Sequence, residues 1–251
     1  MNLRNYLILL IFFVLGCEKP PDEEYPVRKE PSFERIDLEE LASEGNAEAQ
    51  FRLAERLLKG PLQDRNETEG ILWLRFAAEQ GLASAQYELG ESFLNGIGLR
   101  KNKNEAIRWL NRAADQGQPM AQNVLGWILA NKTDGTHDYK KAVQLFQASA
   151  DQGYAVAQAN LSTMYRDGKG VQQNPMLAYV WWKIALEYSK SLESFNQKDR
   201  PSFSPTPEQM KDIQQQITEI RSKIEDNRWY DPVWFLILIS ILNIDLSICL
   251  L

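Results

Sequence analysis

Cysteine and histidine are almost absent from this chain of 251 residues. The two cysteines, Cys17 and Cys249, lie in hydrophobic segments at the two ends, so the central part of the chain has none. A disulfide framework or a zinc site built on thiolates is therefore excluded there. His137 is the only histidine, which excludes every metal or catalytic motif that needs two.

A basic stripe is missing as well. Ten acidic and four basic residues lie between Glu18 and Gly45, and this excess equals the net charge of −6 of the whole chain. The rest of the chain is close to neutral, with Lys and Arg scattered among Glu and Asp. Such a surface lacks the positive charge that phosphate contacts require, so we expect no nucleic-acid partner.

The N-terminus combines a short basic region with an apolar run that ends in a cysteine. A short region with Arg4 precedes an apolar run that is too short to span a bilayer. The run ends in Val14-Leu15-Gly16-Cys17, which resembles the lipobox. That resemblance implies that residues 1–16 are cleaved off and that Cys17 carries a lipid. It also implies an outer-membrane location facing the periplasm, because Glu18 rather than Asp follows the cysteine. An ordinary signal peptide with an incidental cysteine is the alternative.

Two further terminal segments differ in composition from the centre. Residues 17–33 contain four prolines among charged residues, which predicts an extended tether. Residues 229–251 form a hydrophobic tail that Asn243 and Asp245 interrupt. Its length is near that of a membrane helix. A second membrane anchor, a helix packed on the last repeat and an unusual gene end remain open for this tail, and membrane association is the favoured interpretation.

A repeat of 36 residues occupies the centre of the chain. An Ala-Gln pair, a leucine and a glycine each recur at this step: Ala49-Gln50, Ala85-Gln86, Ala121-Gln122 and Ala157-Gln158; Leu53, Leu89, Leu125 and Leu161; Gly45, Gly81, Gly117 and Gly153. Each copy contains two stretches with apolar residues three or four positions apart, which predicts two helices. Glycines between and after these stretches predict tight turns.

The second stretch of each copy carries a large apolar residue in the same register. It is Trp73, Trp109 and Trp181 in three copies and Leu145 in the third, and we predict that the tryptophans are core residues. The Gly-x-Gly break is complete in the second and fourth copies only. We therefore expect irregular turns after Lys59 and after Asn131.

The unit Ala-x-Ala-Gln-x-x-Leu-Gly, then Gly-x-Gly, then Ala-x-x-Trp-x-x-x-Ala-Ala-x-x-Gly resembles the Sel1-like repeat, a relative of the tetratricopeptide repeat. The resemblance covers about Ala47 to Ser189. It implies an all-α fold, a right-handed α-solenoid of about four 36-residue helix-turn-helix repeats. We place this solenoid, with an N-terminal capping half-repeat, at residues 34–190.

Residues 191–228 are predicted to form a loop and a C-terminal capping helix. Thr206-Pro207 suits an N-cap followed by proline in the first turn, and the helix should run toward Asp226. Its predicted apolar face is Met210, Ile213, Ile217, Ile220 and Ile224.

The resemblance implies that the first helix of each repeat lines a concave face that binds a protein or peptide partner. We apply the register of the tetratricopeptide relatives to the first helices of this chain. It selects eight partner-binding candidates: Phe51, Glu55, Tyr87, Glu91, Asn123, Trp127, Thr163 and Arg166. Phe51, Tyr87 and Trp127 would place aromatic rings along one wall, as protein-binding grooves need. The alternative is that these rings pack between repeats.

An enzymatic function has little support in the sequence. His137 lies between two helices with no nucleophile positioned beside it, so we expect no catalytic residue, no metal and no small-molecule cofactor. We expect an envelope scaffold. The alternatives are a protein that binds or hydrolyses peptidoglycan or β-lactams, and a part of an export or polysaccharide-secretion complex. Sel1-like relatives that act on penicillin-like compounds are rich in cysteine, unlike this chain.

Overall fold

The computed structural model describes residues 38–132, 135–188 and 201–229. Within these ranges the chain forms ten α-helices, one short 3-10 helix and no strand. The α-helices are α1 (Leu38–Ser43), α2 (Ala47–Lys59), α3 (Glu67–Glu79), α4 (Ala83–Asn95), α5 (Lys103–Asp115), α6 (Pro119–Ala130), α7 (Tyr139–Ala150), α8 (Ala155–Asp167), α9 (Pro175–Tyr188) and α10 (Pro207–Trp229).

Several predicted segments lie outside the described residues. They are the signal peptide at 1–16, Cys17 and the tether at 17–33, most of the loop before α10, and the tail after residue 229. In the described part of the chain, no helix is long and apolar enough to cross a membrane.

The helices stack in consecutive pairs. Each first helix (α2, α4, α6 and α8) packs on the second helix of its own repeat (α3, α5, α7 and α9), and each second helix packs on the next first helix. The half-repeat helix α1 packs on α2, and α10 packs on α9. The predicted all-α solenoid of four repeats is therefore confirmed.

Small residues on the first helices allow close packing within a repeat. A Cβ atom added to Gly126 in α6 would lie 2.8 Å from Phe146 Cε1 in α7, and one added to Gly90 would lie 2.7 Å from Leu110 Cγ. Overpacking of this kind costs about 1–3 kcal/mol. The predicted stripe of the first helices, which includes Leu53, Leu89 and Leu161, is buried in these contacts.

An Asn or Asp side chain caps each second helix. Asn66, Asn102, Asp138 and Asn174 are spaced by 36 residues, and the side-chain oxygen of each accepts a hydrogen bond from a backbone N–H in the first turn. Their own backbone N–H groups donate to carbonyls near the end of the preceding first helix. Each cap therefore closes the turn inside its repeat and stabilises the helix by about 1 kcal/mol.

The turn inside the repeat depends on its second glycine. Gly98 has φ +63°, and a Cβ atom there would lie 2.7 Å from the carbonyl oxygen of Glu67 in the preceding repeat. In the first repeat Leu62 takes that position, and a 3-10 helix, Leu62–Asp64, forms instead. The predicted irregularity of this turn is confirmed. Residues 133 and 134 of the third turn lie outside the described residues.

The glutamine of the Ala-Gln pair joins three helices in each of the first three repeats. The Nε2 of Gln86 donates to the carbonyl oxygen of Ala78, near the end of α3, at 3.0 Å, and its Oε1 accepts from Nε2 of Gln116, after α5, at 2.7 Å. The same two bonds recur one repeat earlier and one repeat later: Gln50 with Ala42 and Gln80, and Gln122 with Ala114 and Gln152. We call this series the glutamine ladder.

The glutamine ladder ends in the fourth repeat. Gln158 is fully buried and donates to the carbonyl oxygen of Ala150 at 3.2 Å, but its Oε1 has no hydrogen-bond partner. The position that supplies the donor in the other repeats is occupied by Tyr188 rather than glutamine. Beyond this point α10 packs through apolar side chains, with Ile213 and Ile224 buried.

The start of α10 follows the sequence prediction. Thr206 Oγ1 accepts from the backbone N–H of Gln209, whose Oε1 accepts from the backbone N–H of Thr206, so the two residues form a reciprocal cap. The predicted apolar face is buried at Ile213, Ile217 and Ile224, and Met210 is exposed. The helix continues three residues past the predicted end, to Trp229.

Trp73 is less buried than the prediction of a core residue requires. Trp109 and Trp181 are buried, whereas Trp73 is half-buried. The helix that precedes Trp73 in the stack, α1, has only six residues and covers less of the indole.

Replacing Gln86 with Met should destabilise the solenoid more than replacing Gln158 with Met. Gln86→Met removes two hydrogen bonds between helices, one to the Ala78 carbonyl and one from the Gln116 amide, whereas Gln158→Met removes one. An intramolecular hydrogen bond contributes about 0.5–1.5 kcal/mol to stability. Urea unfolding followed by circular dichroism measures both changes. Equal losses of stability in the two variants would contradict a role for the second bond.

Candidate functional site

The accessible side of the four first helices forms one continuous surface, which we call the inner face. Equivalent residues 36 positions apart lie side by side along it. One row consists of Phe51, Tyr87, Asn123 and Ala159, and the next row, one turn along the helices, of Glu55, Glu91, Trp127 and Thr163. Seven of the eight predicted partner-binding residues therefore lie in two neighbouring rows, and Arg166 is the exception.

Trp127 is the most exposed aromatic side chain of these rows. Its side chain is 56 % exposed, on helix α6. The equivalent positions in the other repeats carry the polar residues Glu55, Glu91 and Thr163. An exposed indole with polar neighbours is typical of a protein-binding surface, because it can bury a large apolar area when a partner covers it.

Tyr87 and Glu91, on the repeat before Trp127, interact with Tyr154, the residue just before helix α8. All three side chains are half-buried. Burial raises the pKa of the Tyr87 phenol, and the charges of Glu91 and Glu88 raise it further. Burial also raises the pKa of Tyr154, and the charge of Glu91 adds to this effect.

The surroundings of Glu91 destabilise its ionised form. Burial raises its pKa, the neighbouring charge of Glu88 raises it further, and the Asn95 side chain and the charge of Lys59 oppose the shift. Within the described residues Glu91 forms no ion pair, because Lys59 Nζ lies 2.6 Å from Glu88 and 3.8 Å from Glu55. A hydrogen-bond donor or a cation brought by a partner would stabilise the ionised form of Glu91.

Three predicted contacts are corrected or limited by the structure. Asn123 is only 7 % exposed and accepts a hydrogen bond from Asn160 Nδ2 at 2.9 Å, so it joins two repeats rather than offering a free contact. Phe51 is half-buried and packs against the core of the first two repeats. Thr163 Oγ1 donates to the carbonyl oxygen of Ala159 in its own helix.

Arg166 is one position away from the register of the other candidates. The equivalent of Lys59 and Asn95 is Asp167, and Arg166 Nε donates to Asp167 Oδ1 at 2.8 Å. This hydrogen bond is the main reason why the pKa of Asp167 is lowered. Arg166 is therefore engaged within the fourth repeat and contacts neither Trp127 nor Glu91 through any hydrogen bond described here.

The described residues offer no arrangement for metal binding. In these ranges no group of three or more His, Cys, Asp and Glu side chains could hold a metal ion. His137 is exposed and stacks on Tyr139, with 4.9 Å between the ring centroids. Ser149 is buried and donates to the carbonyl oxygen of Pro119 at 2.7 Å, a contact between the two helices of the third repeat.

Comparison with protein families identifies the repeat. Residues 47–82, 83–118, 119–154 and 155–187 each match the Sel1 repeat. The chain belongs to the Sel1-repeat family. Sel1 repeats generally mediate interactions between proteins, and scaffolds of this family are typically not enzymes. No curated protein matches the chain at a significant level.

Two solved structures share the Sel1-repeat fold with this chain. The first is c5321, described as a protective antigen present in uropathogenic Escherichia coli strains, with 33 % identity and a TM-score of 0.57; the match covers 60 % of this chain and 32 % of that one. The second is a Sel1 repeat protein from Oxalobacter formigenes, with 28 % identity, a TM-score of 0.54 and coverage of 58 % and 59 %. This chain therefore spans less than two thirds of either relative.

Sequence reasoning missed two features of the site. The glutamine ladder had a visible signal, because Gln80, Gln116 and Gln152 recur at the same step of 36 residues as the Ala-Gln pair. Tyr154 had none, because its equivalents in the other repeats are Asn46, Leu82 and Gln118. The repeat pattern therefore does not show that Tyr154 interacts with Glu91.

Replacing Glu91 with Gln should stabilise the protein at neutral pH. Because the folded-state pKa of Glu91 is raised, ionisation opposes folding, and this penalty appears as pH rises above the ordinary carboxyl range. The melting temperature of Glu91→Gln relative to the native protein should therefore increase between about pH 4 and pH 7. Thermal melts at several pH values measure it, with Glu44→Gln as an exposed control. A constant difference across this range would contradict the raised pKa.

Proposed function

We propose that the chain is a protein-interaction scaffold of the bacterial cell envelope, in which the inner face binds a segment of a partner protein. The observation that carries the proposal is the exposed indole of Trp127, at a position where the other repeats have polar side chains. Exposed aromatic residues near the centre of a surface are the ones that most often dominate binding energy. The family's general role in protein interactions supports the proposal.

The surroundings of Trp127 suggest what the partner offers. The neighbouring repeat presents the half-buried carboxylate of Glu91, which interacts electrostatically with the phenols of Tyr87 and Tyr154. A backbone N–H or a basic side chain of the partner would donate to Glu91, while an apolar side chain covers the indole. The preferred segment therefore combines an apolar residue with a hydrogen-bond donor or a positive charge.

The rigidity of the first helices should increase the affinity of the inner face for a partner. The glutamine ladder and the side-chain caps fix the first helices before a partner arrives, so binding orders only the partner segment. Lys59 is held by Glu88 and Glu55, and Asn123 by Asn160, so these groups do not need to reorganise.

The proposed location rests on Cys17 and on the composition of residues 1–33. A lipid on Cys17 would anchor the chain at a membrane, in our proposal the outer membrane facing the periplasm. The Pro-rich acidic segment at 17–33 would separate the solenoid from the lipid surface.

A photocrosslinking residue at position 131, which is exposed at the end of α6 and leaves the indole of Trp127 in place, should capture a specific protein in cells that produce the full chain. The same residue at position 76 is the matched control, because Phe76 is 48 % exposed on the second helix α3. The adduct from position 131 should weaken by about tenfold or more when Tyr87→Ala is added, since hot-spot residues each contribute about 2 kcal/mol or more. The same adduct from both positions, or an adduct unaffected by Tyr87→Ala, would contradict binding on the inner face.

Replacing Cys17 with Ser should prevent lipidation and release the protein from membranes. The expected result is loss of labelled palmitate and a shift of the protein into the soluble fraction after cell lysis. Cys249→Ser is the matched control and should keep both the label and the membrane fraction. Retention of label in Cys17→Ser, or its loss in Cys249→Ser, would show that the anchor lies elsewhere in the chain.

A further inference from the structure

A groove of about 410 Å³ lies on the opposite side of the solenoid, between the second helices α5 and α7. Its floor is apolar and consists of Ile107, Ala114, Leu125, Ile128, Leu129 and Leu145. Its polar rim is made of Lys103, Lys132 and Lys141 together with Asn111 and Asp115. None of these residues belongs to the two rows of the inner face.

The groove lies at a position where the other repeats carry tryptophan. Leu145 is equivalent to Trp109 and Trp181, which are only 7 % and 4 % exposed and fill the junctions with their neighbouring second helices. A leucine side chain is smaller than an indole and leaves part of this space open. Protein interiors are normally packed without such space, so the substitution at one repeat accounts for the groove.

The charges of the rim are not explained by the stability of the fold. Lys103 begins α5 and Lys141 lies in the first turn of α7, where the helix dipole disfavours positive charge. The equivalents of Lys141 in the two preceding repeats are Glu69 and Glu105, the residues expected at that place.

The rim lysines Lys103, Lys132 and Lys141 form no ion pair with any other described residue. Glu105, a carboxylate in the first turn of α5, is paired with Arg108 at 3.3 Å. Asp115 lies at the other end of α5. The groove therefore has a positive end, an apolar middle and a weakly negative end.

We propose that this groove binds a short segment of a partner protein in which a large apolar side chain is flanked by acidic residues. The apolar side chain would occupy the floor beside Leu145, and the carboxylates would pair with Lys103, Lys132 and Lys141. Asn111, whose amide already donates to the carbonyl oxygen of Ile107, keeps its Oδ1 as an acceptor for a peptide N–H.

The far end of the groove favours a peptide over an anionic lipid. An acyl chain extending from the lysines would be placed against Asn111 and Asp115, and burying these polar groups without hydrogen bonds costs free energy. A peptide backbone can donate to both. The inner face should bind partner segments that carry hydrogen-bond donors or positive charge, whereas this groove should bind acidic segments. The two surfaces would therefore bind different segments.

The test uses the full chain and fluorescently labelled peptides with a central Trp, Phe or Leu preceded by aspartates. Fluorescence anisotropy should detect binding to the native protein, and Leu145→Trp should weaken it by about tenfold or more by filling the groove. Lys141→Glu should weaken it similarly, whereas Lys140→Glu, an equal charge change on an exposed side chain outside the groove, should leave it within about twofold. Leu145→Trp should fold, since tryptophan stands at this position in the other repeats; helicity measured by circular dichroism checks this.

Three results would overturn the proposal. The first is the absence of peptide binding by the native protein. The second is equal binding of a peptide with lysines in place of the aspartates, or undiminished binding by a folded Leu145→Trp variant. The third is binding of phosphatidylglycerol vesicles, lost in Leu145→Trp, without any peptide binding, which would assign the groove to an anionic lipid instead.

Discussion

A buried glutamine amide at each junction is the constraint on which the rest of the solenoid depends. An amide has both a donor and an acceptor to satisfy, and each of the first three glutamines satisfies them on two different second helices. A shift of one helix by a single residue would break both hydrogen bonds of a buried side chain. The register of the stack is therefore fixed, and the distances between Tyr87, Trp127 and Tyr154 follow from it.

Most of the fold was predictable because its signal is periodic. The leucines at 53, 89, 125 and 161 and the Thr206 cap could be assigned from spacing alone, since each depends on neighbours within one or two helical turns. The burial of Asn123 in a contact between repeats could not be predicted, because its partner Asn160 lies 37 residues away rather than at the repeat step of 36. Arg166 was assigned to the inner face although the register places Asp167 there. The partial exposure of Trp73 depends on the short α1, whose length the sequence pattern does not define.

Both candidate binding surfaces include positions at which the third repeat differs from the others. Trp127 replaces the polar residue of its row, and on the opposite side Leu145 replaces a tryptophan. Lys141 lies where the first two repeats have glutamate and the fourth has Leu177. The recurring positions maintain the packing, and the positions that do not recur are free to carry chemistry specific to this chain. A consensus sequence of the four repeats would therefore describe the packing of the scaffold well, but it would omit the residues that distinguish its surfaces.

The open acceptor on Gln158 has a consequence for how such a chain can change in length. Up to this residue every junction uses groups that the next copy supplies again, so a unit of 36 residues could be duplicated or deleted without leaving an amide unpaired. After Gln158 the series cannot continue, because Tyr188 and the apolar face of α10 replace the next glutamine and the next repeat. Evolution can therefore lengthen or shorten the binding surface from within, while the terminal helix remains a fixed end.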